Sequence, residues 1–142
     1  MLKLNLDGST DALEKILKEL SKAFDTTAIL DEAGAVLLNR IRTRFLAEED
    51  PDNVKWIPSK AAIKRRAKGG TGTLFKTGRL FRSIQLAGTG PNQREINTDV
   101  PYASKHQLGL DGLPKRVFLG FNENDAHIIE RLLKIRAKRI LI

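Results

Sequence analysis

The sequence predicts an α+β domain: an N-terminal strand and two amphipathic helices packed on a small antiparallel sheet, with a C-terminal helix. Three observations lead there. Leu2, Leu4 and Leu6 alternate with polar residues at the period of a strand, and later stretches repeat apolar residues at three and four, the period of a helix. Gly88-Thr89-Gly90-Pro91-Asn92 is a strong turn signal between two short runs that read as a hairpin. Helices and strands that come in separate runs define this class.

Residues Leu2 to Leu6 form the opening half-buried strand. Asp7-Gly8-Ser9 turns the chain, and Ser9 or Thr10 can cap a helix whose face is Leu13, Ile16, Leu17, Leu20 and Phe24. Thr26 or Thr27 caps a second, longer helix reaching about Ala47, with the stripe Leu30, Ala33, Leu37, Ile41 and Phe45 and with Leu38 beside it. Arg40, Arg42 and Arg44 are placed largely off that stripe. Gly34 inside this helix costs it about 1 kcal/mol relative to Ala. Glu48 to Pro58 is a polar connection carrying the only tryptophan, Trp56. Ser59 caps a short basic helix through Lys68, and the glycines of Gly69-Gly70-Thr71-Gly72-Thr73 oppose any regular structure. Thr77 is expected to cap a helical turn leading into a strand from Ile84 to Ala87, which returns as Glu95 to Val100. Pro101 to Gly112 reads as irregular or a single helical turn, and Arg116 to Phe121 as another strand. Asn122 or Asn124 caps a last helix bearing Ile128, Ile129, Leu132, Leu133 and Ile140. The apolar end Ile140-Leu141-Ile142 is expected to dock on its own sheet or on a neighbouring copy. Residues 1–142 are read as a single domain with a mobile basic, Gly-rich loop around residues 48–76.

With 142 residues, 41% hydrophobic and 30% charged, the chain has the balance of a packed domain and not of a disordered one. It has no Cys, which excludes disulfides, thiolate metal ligands and a cysteine nucleophile. No apolar run approaches the roughly 18 residues of a membrane span, so no membrane partner is expected. The formal charge of +8 is segregated. Lys60, Lys64, Arg65, Arg66, Lys68, Lys76, Arg79 and Arg82 occupy a stretch without an acid, just after the acidic knot Glu48, Glu49, Asp50 and Asp52. Such a block attracts a polyanion through counterion release, and it pairs equally with an acidic patch on another protein. The plainer alternative is a solvated basic face.

Catalytic chemistry finds little to work with. Gly70-Thr71-Gly72-Thr73-Leu74-Phe75-Lys76-Thr77 departs from a phosphate-binding loop, because Phe75 stands where glycine must precede the lysine. His106 and His127 have no carboxylate cluster at ligand spacing, and Ser83 and Ser104 have no evident base. His127 reads as a surface helical residue and His106 as a hydrogen-bonded loop residue. No cofactor and no enzymatic role are expected. The basic block lacks a base-reading motif, and Phe75 and Phe81, spaced with Leu74 and Leu80, fit packing better than base stacking, so any DNA contact would be sequence-blind.

Leu74-x-x-Thr77-Gly78-x-Leu80-x-x-Ser83-Ile84 resembles the signature of phage virion-morphogenesis proteins, the Mu G-like and tail-completion group of head–tail joining proteins. Tyr102-Ala103-x-x-His106-Gln107-x-Gly109 and Pro114-x-Arg116-x-Phe118-Leu119-Gly120 are similar to that family's next two signatures, in the right order. Val117 departs from the pattern, which has proline between the Arg and the Phe. The resemblance implies a structural protein of the phage neck, made in the host cytoplasm and built into the virion at the head–tail junction. It implies a terminator or stopper subunit in a homo-oligomeric ring of six, or of twelve, copies around passing genomic DNA. Its neighbours would be neck, portal-side or tail-tube proteins, with no catalytic residues to carry over. In such a ring Lys60, Lys64, Arg65, Arg66, Lys68 and Lys76 would meet DNA or an adjacent subunit, and Glu48, Glu49, Asp50 and Asp52 would form the acidic counterpart. Gly78 would permit a close turn anchored by Leu80, and Tyr102, His106 and Gln107 would form a structural hydrogen-bonding corner. The alternative is a free-standing, non-specific DNA-binding protein acting through residues 60–82.

Overall fold

A three-stranded antiparallel sheet in the order β1-β3-β2 supports one long helix, and the fold is α+β. The structure, a computed structural model, describes residues 2–5, 27–90 and 93–141. The strands are β1 (Leu2–Asn5), β2 (Gln85–Gly90) and β3 (Gln93–Thr98). β1 pairs with β3 from Leu2 opposite Thr98 to Asn5 opposite Glu95, and β2 pairs with β3 with an irregularity between Gly88 and Gly90. The central position of β3 explains why it is buried from Arg94 to Thr98 although its residues are mostly polar. The polar side chains find partners within the fold: Arg94 pairs with Asp31, and Asn97 donates to Glu95 Oε1 at 2.8 Å and accepts from Gln85 Nε2 at 3.0 Å.

The helices are α1 (Thr27–Leu46), α2 (Lys60–Ala67), α3 (Arg79–Ser83), α4 (Ala103–Leu108) and α5 (Glu123–Leu141). The α1 stripe is the spine of the core, with Leu30, Ala33, Leu37, Ile41 and Phe45 buried against Ile84, Ile96, Phe118, Ile129 and Leu133. Gly34 lies where α1 crosses β2. A Cβ there would stand 2.6 Å from Leu86 Cδ1, so the glycine allows the helix and the sheet to approach closely. Trp56 seals the lower end of the stripe: its ring meets Phe45 edge-on at 5.3 Å and its Nε1 donates to Val117 O at 2.9 Å. Phe75 and Phe81 pack on each other at 5.3 Å, and Phe81 on Phe45 at 5.5 Å, as the packing expectation required. Ser59 caps α2 by accepting from Ala62 N at 3.1 Å. Asn122 caps α5 by accepting from Asp125 N at 2.7 Å, and Asp125 returns the bond to Asn122 N at 3.0 Å.

Four expectations are corrected. Arg116 to Phe121 is not a strand. It runs beside α4, and the Gln107 side chain stands in for a neighbouring strand by accepting from Phe118 N and Leu119 N at 3.0 and 3.1 Å and donating to Leu119 O. The cap of α3 is Gly78, at φ +80°, while Thr77 Oγ1 only accepts from Arg79 N at 3.3 Å. Arg44 is buried, on the core side of α1. His106 lies on α4 and ties the corner through its backbone carbonyl, which accepts from Arg116 N at 2.8 Å, and not through its ring. The expected first helix and the turn before it, Pro91-Asn92, Ile142 and the side chains of Ile140 and Leu141, on which the expected docking rests, lie outside the described residues.

Candidate interaction surface

The acidic knot and the basic helix, distinct in sequence, meet in space. Glu48, itself at φ +59°, forms an ion pair with Arg66 and accepts from the backbone N–H of Thr73. Burial raises the Glu48 carboxyl, but the bonds from Arg66 and Thr73 outweigh it and leave the group below the ordinary glutamate value. Thr73 is buried and accepts from Ser59 N at 3.3 Å, so the Gly-rich segment is tied at its far end to the start of α2. Arg65 donates to Gly72 O, and its own carbonyl accepts from Gly70 N at 2.7 Å. Glu49 pairs with Lys55 at 3.3 Å, and Asp50 Oδ1 accepts from Asp52 N and Val54 N, both at 2.9 Å. Of the four acids, only Asp52 is well exposed.

The basic set divides into three: Arg66 in the pair with Glu48, a lysine stripe, and the cations of a cavity. Lys60 and Lys64 share one face of α2 and Lys68 follows four residues on, at the cap of the helix; all three are exposed, and none pairs with a carboxylate among the described residues. Arg65 and Lys76 instead line a cavity of about 560 Å³ together with Arg79, His106 and Arg116. Leu74, Leu80, Tyr102 and Leu113 give it apolar walls, and Thr77 and Gly78 form part of its edge. Residues from three separate sequence signatures therefore converge on one concavity. Arg79 lies 5.9 Å from the Tyr102 ring centroid, and Tyr102 meets His106 edge-on at 6.1 Å. Burial, and then the Arg116 charge, hold His106 below the usual histidine value, so its ring is neutral at neutral pH. Arg116 donates from Nε to Ile57 O at 2.7 Å, and burial lowers its guanidinium from the usual arginine value.

The remaining signature residues position backbone. Leu80 and Phe118 are core residues, Gly109 ends α4 at φ +67°, and the Gly120 carbonyl accepts from Arg44 Nη2 at 3.2 Å. Ser83 Oγ contacts Leu80 O and Thr98 Oγ1, each at 2.6 Å, with no histidine beside it. His127 is exposed on α5, 3.8 Å from Glu123. No group of three or more His, Asp or Glu side chains placed to hold a metal ion occurs among the described residues, and no helix among them is long and apolar enough to cross a membrane. Sequence reading missed the cavity because its cations come from four segments. It also missed Arg44, although that position falls three residues after Ile41 and seven after Leu37, on the buried stripe.

A family model described as the phage virion morphogenesis family matches residues 5–136. No curated protein and no solved structure matches the chain.

Proposed function

Because the chain belongs to the phage virion morphogenesis family, we propose that it is a structural neck protein, a head–tail connector or tail-completion subunit (terminator or stopper) that forms a ring with copies of itself around the DNA channel. A structural part in building the phage particle, and association with the virion, follow from the family itself. The match over residues 5–136 carries the reading, because it spans the core, α2 and the cavity together. A ring brings different patches of one chain against each other, and an exposed lysine face on α2 suits either a neighbour's acidic surface or the DNA in the lumen. Imaging of particles should place the subunit on the neck axis in a fixed number of copies. Its absence from mature virions and from assembly intermediates would overturn the reading.

The Lys60, Lys64 and Lys68 stripe favours a second reading, sequence-blind binding to duplex DNA by the free protein. A titration across salt separates the two. A DNA binder loses affinity steeply, and replacing the three lysines with Gln flattens the log–log slope by about 0.9 for each phosphate no longer neutralised. A connector subunit shows little binding before assembly.

A further inference from the structure

Arg116 carries a buried charge that only Glu48 reaches, and from beyond ion-pair distance. It is only 5% exposed, its Nε is committed to a backbone carbonyl, and among the described residues no carboxylate lies within ion-pair distance of it. Buried charges are paired as a rule, since an unpartnered ion away from water is strongly unfavourable. The cavity beside it adds Arg65, Lys76 and Arg79 and contains no acid in its walls. Two buried nitrogens of wall residues, Arg65 Nε and His106 Nδ1, also have no hydrogen-bond partner. Of its apolar wall residues, Leu113 and Tyr102 are exposed, and Leu108 and Leu110, exposed too, lie close to Leu113 in the sequence.

We propose that this cavity is a receptor for the carboxylate of an acidic side chain carried on an apolar segment of another protein of the particle. The inference deepens the assembly reading and rests on it for the source of that segment. A duplex phosphate is met by cations on an open face, such as the α2 lysines, and is flanked by sugars and further phosphates. A concave pocket with leucine and tyrosine walls suits instead a carboxylate whose neighbours are apolar, in the manner of a buried protein anchor with a charge-assisted bond. Arg116 supplies the buried charge, Arg79 and Lys76 the rim, and Tyr102 orients Arg79.

The probes are the peptide acetyl-Leu-Glu-Leu-amide, its Gln counterpart and a short DNA duplex, each titrated into isotope-labelled full-length protein and followed by NMR. The Glu peptide should shift the resonances of His106, Arg116 and Tyr102. The Gln peptide should bind about tenfold more weakly or worse, and so should the Glu peptide to the exposed double variant Lys76→Glu, Arg79→Glu. Arg116→Gln tests the buried charge directly, and the rim variant keeps the test valid if Arg116→Gln fails to fold. Equal binding of both peptides, no shift at those residues, or the duplex shifting the same resonances would overturn the proposal. So would self-association of the protein that the rim variant abolishes, since the occupant would then be a second copy. If the protein is found in particles but the peptide does not bind, the receptor fails and the assembly reading stands. If the peptide binds but particles lack the protein, the carboxylate chemistry stands and its proposed source fails.

Discussion

Asp125 has no exposed side-chain surface, and Arg44 Nη1 approaches its two carboxylate oxygens at 2.9 and 3.0 Å while Arg40 Nε pairs with it from the outer side. Burial raises this carboxyl, but the hydrogen bonds from Arg44, Arg40 and the Asn122 backbone outweigh it and leave the group below the ordinary aspartate value. A folded value below the unfolded one, about 4, means that the pair stabilises the fold above that pH. The contribution is lost as pH falls through the folded value. Asp125→Asn leaves Arg44 buried without its counter-ion and should cost about 3–5 kcal/mol at neutral pH, measured by urea denaturation. The same variant should lose stability less steeply than the parent below about pH 4. An unchanged acid profile would mean that other carboxylates govern acid unfolding. The spacing of Arg44 was legible and its burial was not, because the partner that neutralises it lies 81 residues away.

The helices were legible because their periodicity and caps are local: the α1 stripe, Ser59 before α2 and Asn122 before α5 can all be read within a few residues. The false strand at Arg116–Phe121 was not. Its apolar run is that of a strand, but its backbone amides are taken by one side chain from α4. Gln107→Leu should therefore leave Phe118 N and Leu119 N without acceptors, at about 1–3 kcal/mol for each buried group, with faster hydrogen exchange at those two amides. Gly78→Ala puts a Cβ 3.1 Å from the Phe75 ring in a left-handed conformation, and should cost at least about 1–2 kcal/mol and loosen α3. A wild-type melting temperature for Gly78→Ala would count against this account of the turn. The loop after α2 is tied by Glu48 to Thr73 and Arg66. Glu48→Gln should speed tryptic cleavage after Lys68 several-fold, and equal rates would show that the tether does not restrain it.

Across the molecule, the order of the motifs was enough to indicate a structural phage protein, and the family match agrees. How the charge is distributed depends on the tertiary fold. One linear block of cations becomes an outward lysine stripe, an internal clasp on Glu48 and part of a concave basic pocket. Charge reversal at Lys60, Lys64 and Lys68 should therefore reduce particle yield or genome retention while leaving the thermal midpoint nearly unchanged. Reversal at Arg66 should lower the midpoint as well, because it breaks the clasp. The sheet order also constrains how the chain is made. β1 pairs with β3, so residues 2–5 have no partner strand until residue 98 has left the ribosome. Among the described strands β1 therefore waits longest for its partner, because β2 and β3 follow one another in the chain and β1 does not adjoin either. Chains that stall before β3 are accordingly the ones expected to need a chaperone.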